Sequence, residues 1–499
     1  MRAAPKPSAG RLRTPLAIAA GAVVLRVIAG VGFANYDTLY ALAWGGQLAR
    51  AQTPAYGVAI APTPHPLVEL LGLVLYPLGP RAVEDVTVWL GFVALSACGW
   101  VTYRLGALWF GRAAGALAAL LLLTRVPVLS YGVRAYVDLP YLGLVLGALL
   151  VESRRRRAGV PVLVLLALAG LLRPEAWVFS GLYWLYLLYP RWLLARTRAR
   201  GGPGEPGGAS EAAGGADARS IAALTLLAAA APLVWLISDL AVTGDALWSL
   251  KNTRHTAETL DRVTGIKNVP EYIPRRIGEI LRPPVLVGAA LGGVLSLWWL
   301  RGRAMVGALA GVVAVIVFAA FATAGLPINT RYAFLASAIL CMFAGAGVFG
   351  WTALPRGDGR RRWWMAGGAI VAVALIAYAP SQYRSAHHEL NALSRQQSIQ
   401  NELLTLVDNH AINLRCGPVG VPNHAPIPLL ALYLKSTPAN IVSAQIHPIS
   451  SGIYLDPASR EVESDYVLDP HDPHLPVSIP PGFTESASDP SWLIFHRCS

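Results

Sequence analysis

Apolar runs of about 20 residues recur from Pro15 to Tyr378, and most gaps between them carry arginine. A helix rises about 1.5 Å per residue, so each such run is long enough to cross a hydrocarbon core of about 30 Å. A chain of 499 residues with 55% hydrophobic and 14% charged residues cannot clothe a soluble surface of that size. The run Pro15–Phe33 is the first of many and reads as a retained span, not as a cleaved signal peptide.

The net charge of +13 sits mostly in short loops, where it sets topology, so nucleic acid is not an expected partner. Arg2, Lys6, Arg11 and Arg13 precede the first run and place the N-terminus in the cytoplasm. One threading then puts every strongly basic loop inside, including Arg154–Arg157, Arg191–Arg200, Arg301/Arg303 and Arg356/Arg360–Arg362. It gives about eleven spans, the last being Trp363–Tyr378, with outer loops over 34–85 and 243–284. Residues 201–218, rich in Gly, Ala and Pro, read as a cytoplasmic linker. Pro66–Leu78 is apolar but short, and reads as a re-entrant or surface-lying helix in the first outer loop. In the second, Glu271–Leu281 suits an amphipathic helix lying over a site as a lid.

The tail 381–499 is polar. His387–His410 has helical periodicity, Ile427–Lys435 suits a helix, and Pro418–Val421, Asn440–Ala444, Tyr466–Leu468 and Trp492–His496 read as strands. The expected architecture is therefore an all-α polytopic membrane module, 1–380, carrying a small extracytoplasmic α/β domain. Cys416 and Cys498 flank the first and last of these strands; outside the cytoplasm they can form a disulfide, with two free thiols the alternative.

Polar groups kept near a bilayer mark function, and here they gather at the outer junctions. Tyr36, Asp37 and Tyr40 follow the first span, and His65 precedes the short apolar stretch. Arg134 and Asp138 lie between spans three and four, Arg173 and Glu175 between five and six, and Arg331 and Tyr332 between nine and ten. A carboxylate there can take a proton from a hydroxyl, and arginines can hold a phosphate. Each residue also has a plainer reading. Asp37 suits the N-cap of a helix starting at Thr38, Asp138 suits an N-cap before Leu139-Pro140, Arg173 can pair with Glu175, Arg331 can anchor at headgroups, and His65 can serve a turn.

The order of these features resembles the GT-C superfamily of membrane glycosyltransferases, close to the protein mannosyltransferase and aminoarabinose transferase branch. That order is span, acid, long loop, His-Pro before a short helix, span, inner Arg, span, and Asp-x-Pro at the outer face. The resemblance covers about Pro15 to Pro190 well, and the later spans in general layout. It implies an inverting transferase of the plasma membrane that moves a mannose-like hexose or a pentose from a polyprenyl-phosphate donor to a hydroxyl of a glycan, lipid or protein. It further implies that Asp37 is the general base and that Asp138 orients the acceptor or assists a metal. Arg173, Arg331 and His65 would face the donor phosphate, and Tyr36, Tyr40, Arg134, Glu175 and Tyr332 the substrates. Many members carry a second acid beside the first; here Tyr36 and Thr38 flank Asp37, so no cofactor is certain and a divalent cation stays open. Two other classes compete: a transporter or flippase of a lipid-linked glycan, to which the lack of a visible internal repeat is unfavourable, and a non-catalytic envelope scaffold.

Overall fold

The computed structural model describes residues 9–200, 209–412, 414–467 and 479–498. Arg2, Lys6, the first half of the expected linker and Leu468 lie outside them. The membrane module begins with α1 (Ala9–Ala29), α2 (Tyr36–Ala49), α3 (Pro66–Leu75) and α4 (Pro80–Phe110). There follow α5 (Arg112–Leu123), α6 (Val126–Val133), α7 (Asp138–Arg154), α8 (Val160–Gly170) and α9 (Glu175–Arg200). The second half comprises α10 (Ala209–Thr243), α11 (Trp248–Thr259), α12 (Val269–Trp299), α13 (Arg301–Thr323) and α14 (Phe334–Phe349), then α15 (Arg360–Asp408).

Among the described residues, six helices are long and apolar enough to cross a membrane, or seven if α5 and α6, bent by 65°, form one span. The protein is thus a polytopic membrane protein, but the expected count of about eleven is not reached by this measure. The reason is visible in α7 and α8, which have 17 and 11 residues where a perpendicular crossing needs about 20. Pro66–Leu78 folds as α3 plus a single 3₁₀ turn, Tyr76–Leu78. It packs across α2 where Gly45 and Gly72 leave no room for a Cβ on either helix.

The second half is built on the same device. A Cβ at Gly292 of α12 would collide with the carbonyl oxygen of Phe343 on α14, and one at Gly347 with that of Gly288. Small residues in both helices let the backbones approach, which is how helices associate where lipid removes the hydrophobic drive. α12 is broken at Arg282, whose φ of 64° and ψ of 159° leave the helical region just before Pro283 and Pro284. The freed carbonyl of Leu281 is met by Arg125 Nη1 at 3.1 Å, from the bend between α5 and α6.

The last membrane helix does not stop where the polar tail begins. α15 runs for 49 residues through Pro380, about 73 Å at ordinary rise, and carries the rest of the tail. That domain contains α16 (Ile427–Tyr433) and strands β1 (Val419–Val421), β2 (Ile441–Ser443), β3 (Gly452–Pro457), β4 (Thr484–Ser488) and β5 (Trp492–Arg497). The sheet order is β2-β1-β3-β5-β4, with β1 parallel to β2 and β3, and β5 antiparallel to β3 and β4. The expected strand at Tyr466–Leu468 is not formed. Glu463–Val467 winds as a π-helical turn, which sets the Tyr466 ring edge-on to Trp492. Cys416 and Cys498 are disulfide-bonded.

Replacing Gly292 by valine should drive α12 and α14 apart and lower thermal stability by about 3 kcal/mol or more. Thermal unfolding in detergent, read against Gly293→Val, checks this, because a Cβ at Gly293 meets open space.

Candidate active-site cavity

Asp37 owes its place to its neighbours. Asn35, extended at φ −75° and ψ 172°, caps α2 by accepting from the backbone N–H groups of Asp37 and Thr38. The capping role open to Asp37 is therefore taken, and its carboxylate is left to face outward from the first turn. Asn35 also donates to the Arg134 carbonyl at 3.0 Å, and Thr38 Oγ1 to the Ala135 carbonyl at 2.9 Å. The start of α2 is thereby riveted to the turn after α6.

The carboxylate faces a cavity of about 790 Å³ between the ends of the helices and the C-terminal domain. Arg331 Nη1 reaches Asp37 Oδ2 at 2.5 Å across 294 residues of sequence, and only 15% and 20% of the two side chains are exposed. Burial raises the Asp37 carboxyl, but the charge of Arg331, that of His65 in the acid range where both groups titrate, the Arg331 hydrogen bond and the charge of Arg262 outweigh it. The group is held below the usual carboxylate range and is ionised at neutral pH.

Arg173, which is buried, is a second pole. Its guanidinium is paired with Asp138, bonded to Glu175 Oε1 at 2.6 Å, and lies 4.4 Å from the centre of the Tyr332 ring. A guanidinium has five N–H donors, so this grip leaves capacity toward the cavity. Two expected substrate contacts are not wall residues. Asp138 is 1% exposed, lies behind Arg173 and does not cap α7. Tyr40 is fully buried beneath Tyr36, whose ring meets it edge-on at 4.9 Å. Tyr36, Asp37, His65, Arg134, Arg173, Glu175, Arg331 and Tyr332 do line the cavity. Arg134 spends its guanidinium on Ser130 and lies over the Tyr131 and Tyr136 rings.

His65 is aimed differently from a phosphate-binding cation. Nδ1 lies 2.8 Å from the Leu172 carbonyl, so it carries the hydrogen and leaves Nε2 as an acceptor. Burial, with Arg173 and Arg331 adding to it against Asp37, pushes its pKa down to about 4. At neutral pH the imidazole brings no charge.

Residues that the sequence did not single out complete the wall. Arg262 follows α11, and His424 and Tyr466 come from the C-terminal domain. His424 meets Tyr36 edge-on at 5.4 Å. α11 closes one side, pinned by a 2.6 Å hydrogen bond between Thr253 and Thr63 and by Asn252 to the Ala61 carbonyl at 3.1 Å. The first part of α12, Val269 to Leu281, is helical as expected for the lid, and its Arg276 also reaches the wall. Among the described residues, no three His, Cys, Asp or Glu side chains are grouped to hold a metal ion.

No family model matches the sequence, and no curated protein does. The structure does have a counterpart. It is similar to ArnT from Cupriavidus metallidurans, crystallised bound to undecaprenyl phosphate, with a TM-score of 0.55 over 98% of both chains at 12% identity. The two chains share a fold.

The neutral His65 gives a signed expectation. Its folded pKa lies below the unfolded value of about 6.5, so its contribution is intact above about 6.5 and is lost as pH falls toward 4. Thermal unfolding between pH 7 and 4 should show a smaller acid-side loss in His65→Gln than in the parent protein.

Proposed function

We propose that the protein transfers a sugar, a mannose-like hexose or a pentose, from a polyprenyl-phosphate carrier to an acceptor hydroxyl at the extracytoplasmic face of the plasma membrane. The observation that carries this reading is the ionised Asp37 held against Arg331 in a semi-enclosed cavity, within a fold similar to a transferase solved with undecaprenyl phosphate.

The cavity has one apolar flank. Trp235 and Leu236 of α10, Phe321 of α13 and Leu326 just beyond line it. Both helices also turn apolar residues outward, Ile237 and Leu240 on α10 and Val312 and Ile316 on α13. An isoprenoid chain fits this flank, which leads its phosphate toward Arg331 and Arg173. Tyr36, His424 and Tyr466 also line the cavity, rings suited to sugar faces.

In this reading the acceptor oxygen attacks the anomeric carbon from the side opposite the phosphate. The bond from that carbon to the phosphate oxygen breaks, the carrier leaves as a phosphate monoester, and the acceptor proton passes to Asp37. One displacement inverts the anomeric centre. Asp37 paired with Arg331 is a weak base, but a donor phosphate beside Arg331 shares that positive charge and raises the basicity of the carboxylate. The pair is thus suited to release its base only when donor is bound. Asp138 acts at one remove by fixing Arg173, and Arg173 and Arg331 stabilise charge on the leaving phosphate.

Asp37→Asn in reconstituted membranes should lower turnover of a synthetic polyprenyl-phosphate sugar by about 10²-fold or more, with donor binding kept. Full turnover in that variant would remove Asp37 from the chemistry. Carrier flux without sugar transfer would point to a transporter instead.

A further inference from the structure

Gly30 to Asn35 connects α1 to α2 and ends two residues before Asp37. Its hydrogen bonds alternate like those of a strand between two partners. Phe33 and Asn35 give their N–H groups to the carbonyls of Val133 and Arg134, at 3.4 and 2.9 Å, along one edge. Gly32 and Ala34 present the other edge to side chains. Gln397 of α15 takes both backbone groups of Gly32, accepting at 3.3 Å and donating at 2.8 Å. Glu84, in the second turn of α4, accepts from the Ala34 N–H with Oε1 at 3.1 Å.

The second oxygen of Glu84 does not face water. Oε2 accepts from the hydroxyl of Tyr433 in α16 at 2.7 Å, and Glu84 is 9% exposed. One turn away on the same face, Arg81 pairs with Asp408 at the end of α15 and lies 5.9 Å from the Tyr433 ring centre. The start of α4 therefore contacts both the C-terminal domain and the peptide that leads into Asp37.

We propose that Glu84 and Gln397 are positioning residues through which docking of the C-terminal domain sets the orientation of Asp37. The proposal rests on the reading of Asp37 as base only for its effect on turnover; the geometry it asserts can be measured without catalysis. Removing either side chain leaves the N–H of Ala34 or Gly32 without its partner and lets the connector drift along its second edge. Displacements of about 1 Å at a reacting group reduce rate by up to about 100-fold without requiring weaker substrate binding.

The geometric test uses Asp37→Cys. Cys98 and Cys341 are buried and Cys416 is bonded to Cys498, so the introduced thiol is the accessible one. Its rate of reaction with a membrane-impermeant thiol reagent should change about tenfold when Glu84→Ala or Gln397→Ala is added. Tyr433→Phe should act in the same direction, with little further effect on top of Glu84→Ala. Glu84→Gln keeps an acceptor for Ala34 and should restore most of the parent rate. With Asp37 present, Glu84→Ala should lower kcat about 10- to 100-fold at nearly constant donor KM. A labelling rate unchanged by Glu84→Ala and Gln397→Ala in folded protein overturns the proposal, whatever the activity. Turnover of Asp37→Asn separately decides the reading of the base.

Discussion

The structure turns on an ion pair drawn from distant parts of the chain. Asp37 and Arg331 meet at 2.5 Å although 294 residues separate them, and each is buried enough that losing the other would leave a charge poorly solvated. α2 must therefore sit where the turn before α14 can reach it, and the cavity between them follows. Arg173, clasped by Asp138 and Glu175, places a second fixed cation in the same wall. The two arginines are held differently. Arg173 is locked by two acids, whereas Arg331, among the described residues, is paired with one acid.

Much of the site was legible because it sits at junctions between apolar runs, where a charged residue in an apolar chain has few structural excuses. Asp37, His65, Arg173, Glu175 and Arg331 all reach one cavity. What was hidden depends on three-dimensional neighbours. Nothing in the sequence says that Asn35 takes the cap and leaves Asp37 free, or that Asp138 points back at Arg173 instead of into the wall. His65 beside a proline gave no hint that burial keeps it neutral. Nothing in the local sequence sets Arg262 apart from the other charges of its polar loop.

The fold shows a similar division. Length and apolarity announce α12, α13 and α14, but not the bend between α5 and α6 or the shortness of α8, since local sequence does not say how far a neighbour lets a helix run. In the tail, β1, β2 and β5 follow apolar runs. β4, Thr484–Ser488, is a mostly exposed edge strand with no apolar alternation to betray it. At residue 380, where apolar sequence gives way to polar, α15 passes through without a stop.

The sheet order carries a consequence for biogenesis. β5 lies between β3 and β4, yet it follows both in sequence, so the sheet cannot close until residues 492–497 have emerged. Chains grow at about 5–20 residues per second, so Asp37 is made tens of seconds before the domain that supplies His424 and Tyr466 can settle. Throughout that interval the cavity lacks the part of its wall that His424 and Tyr466 supply.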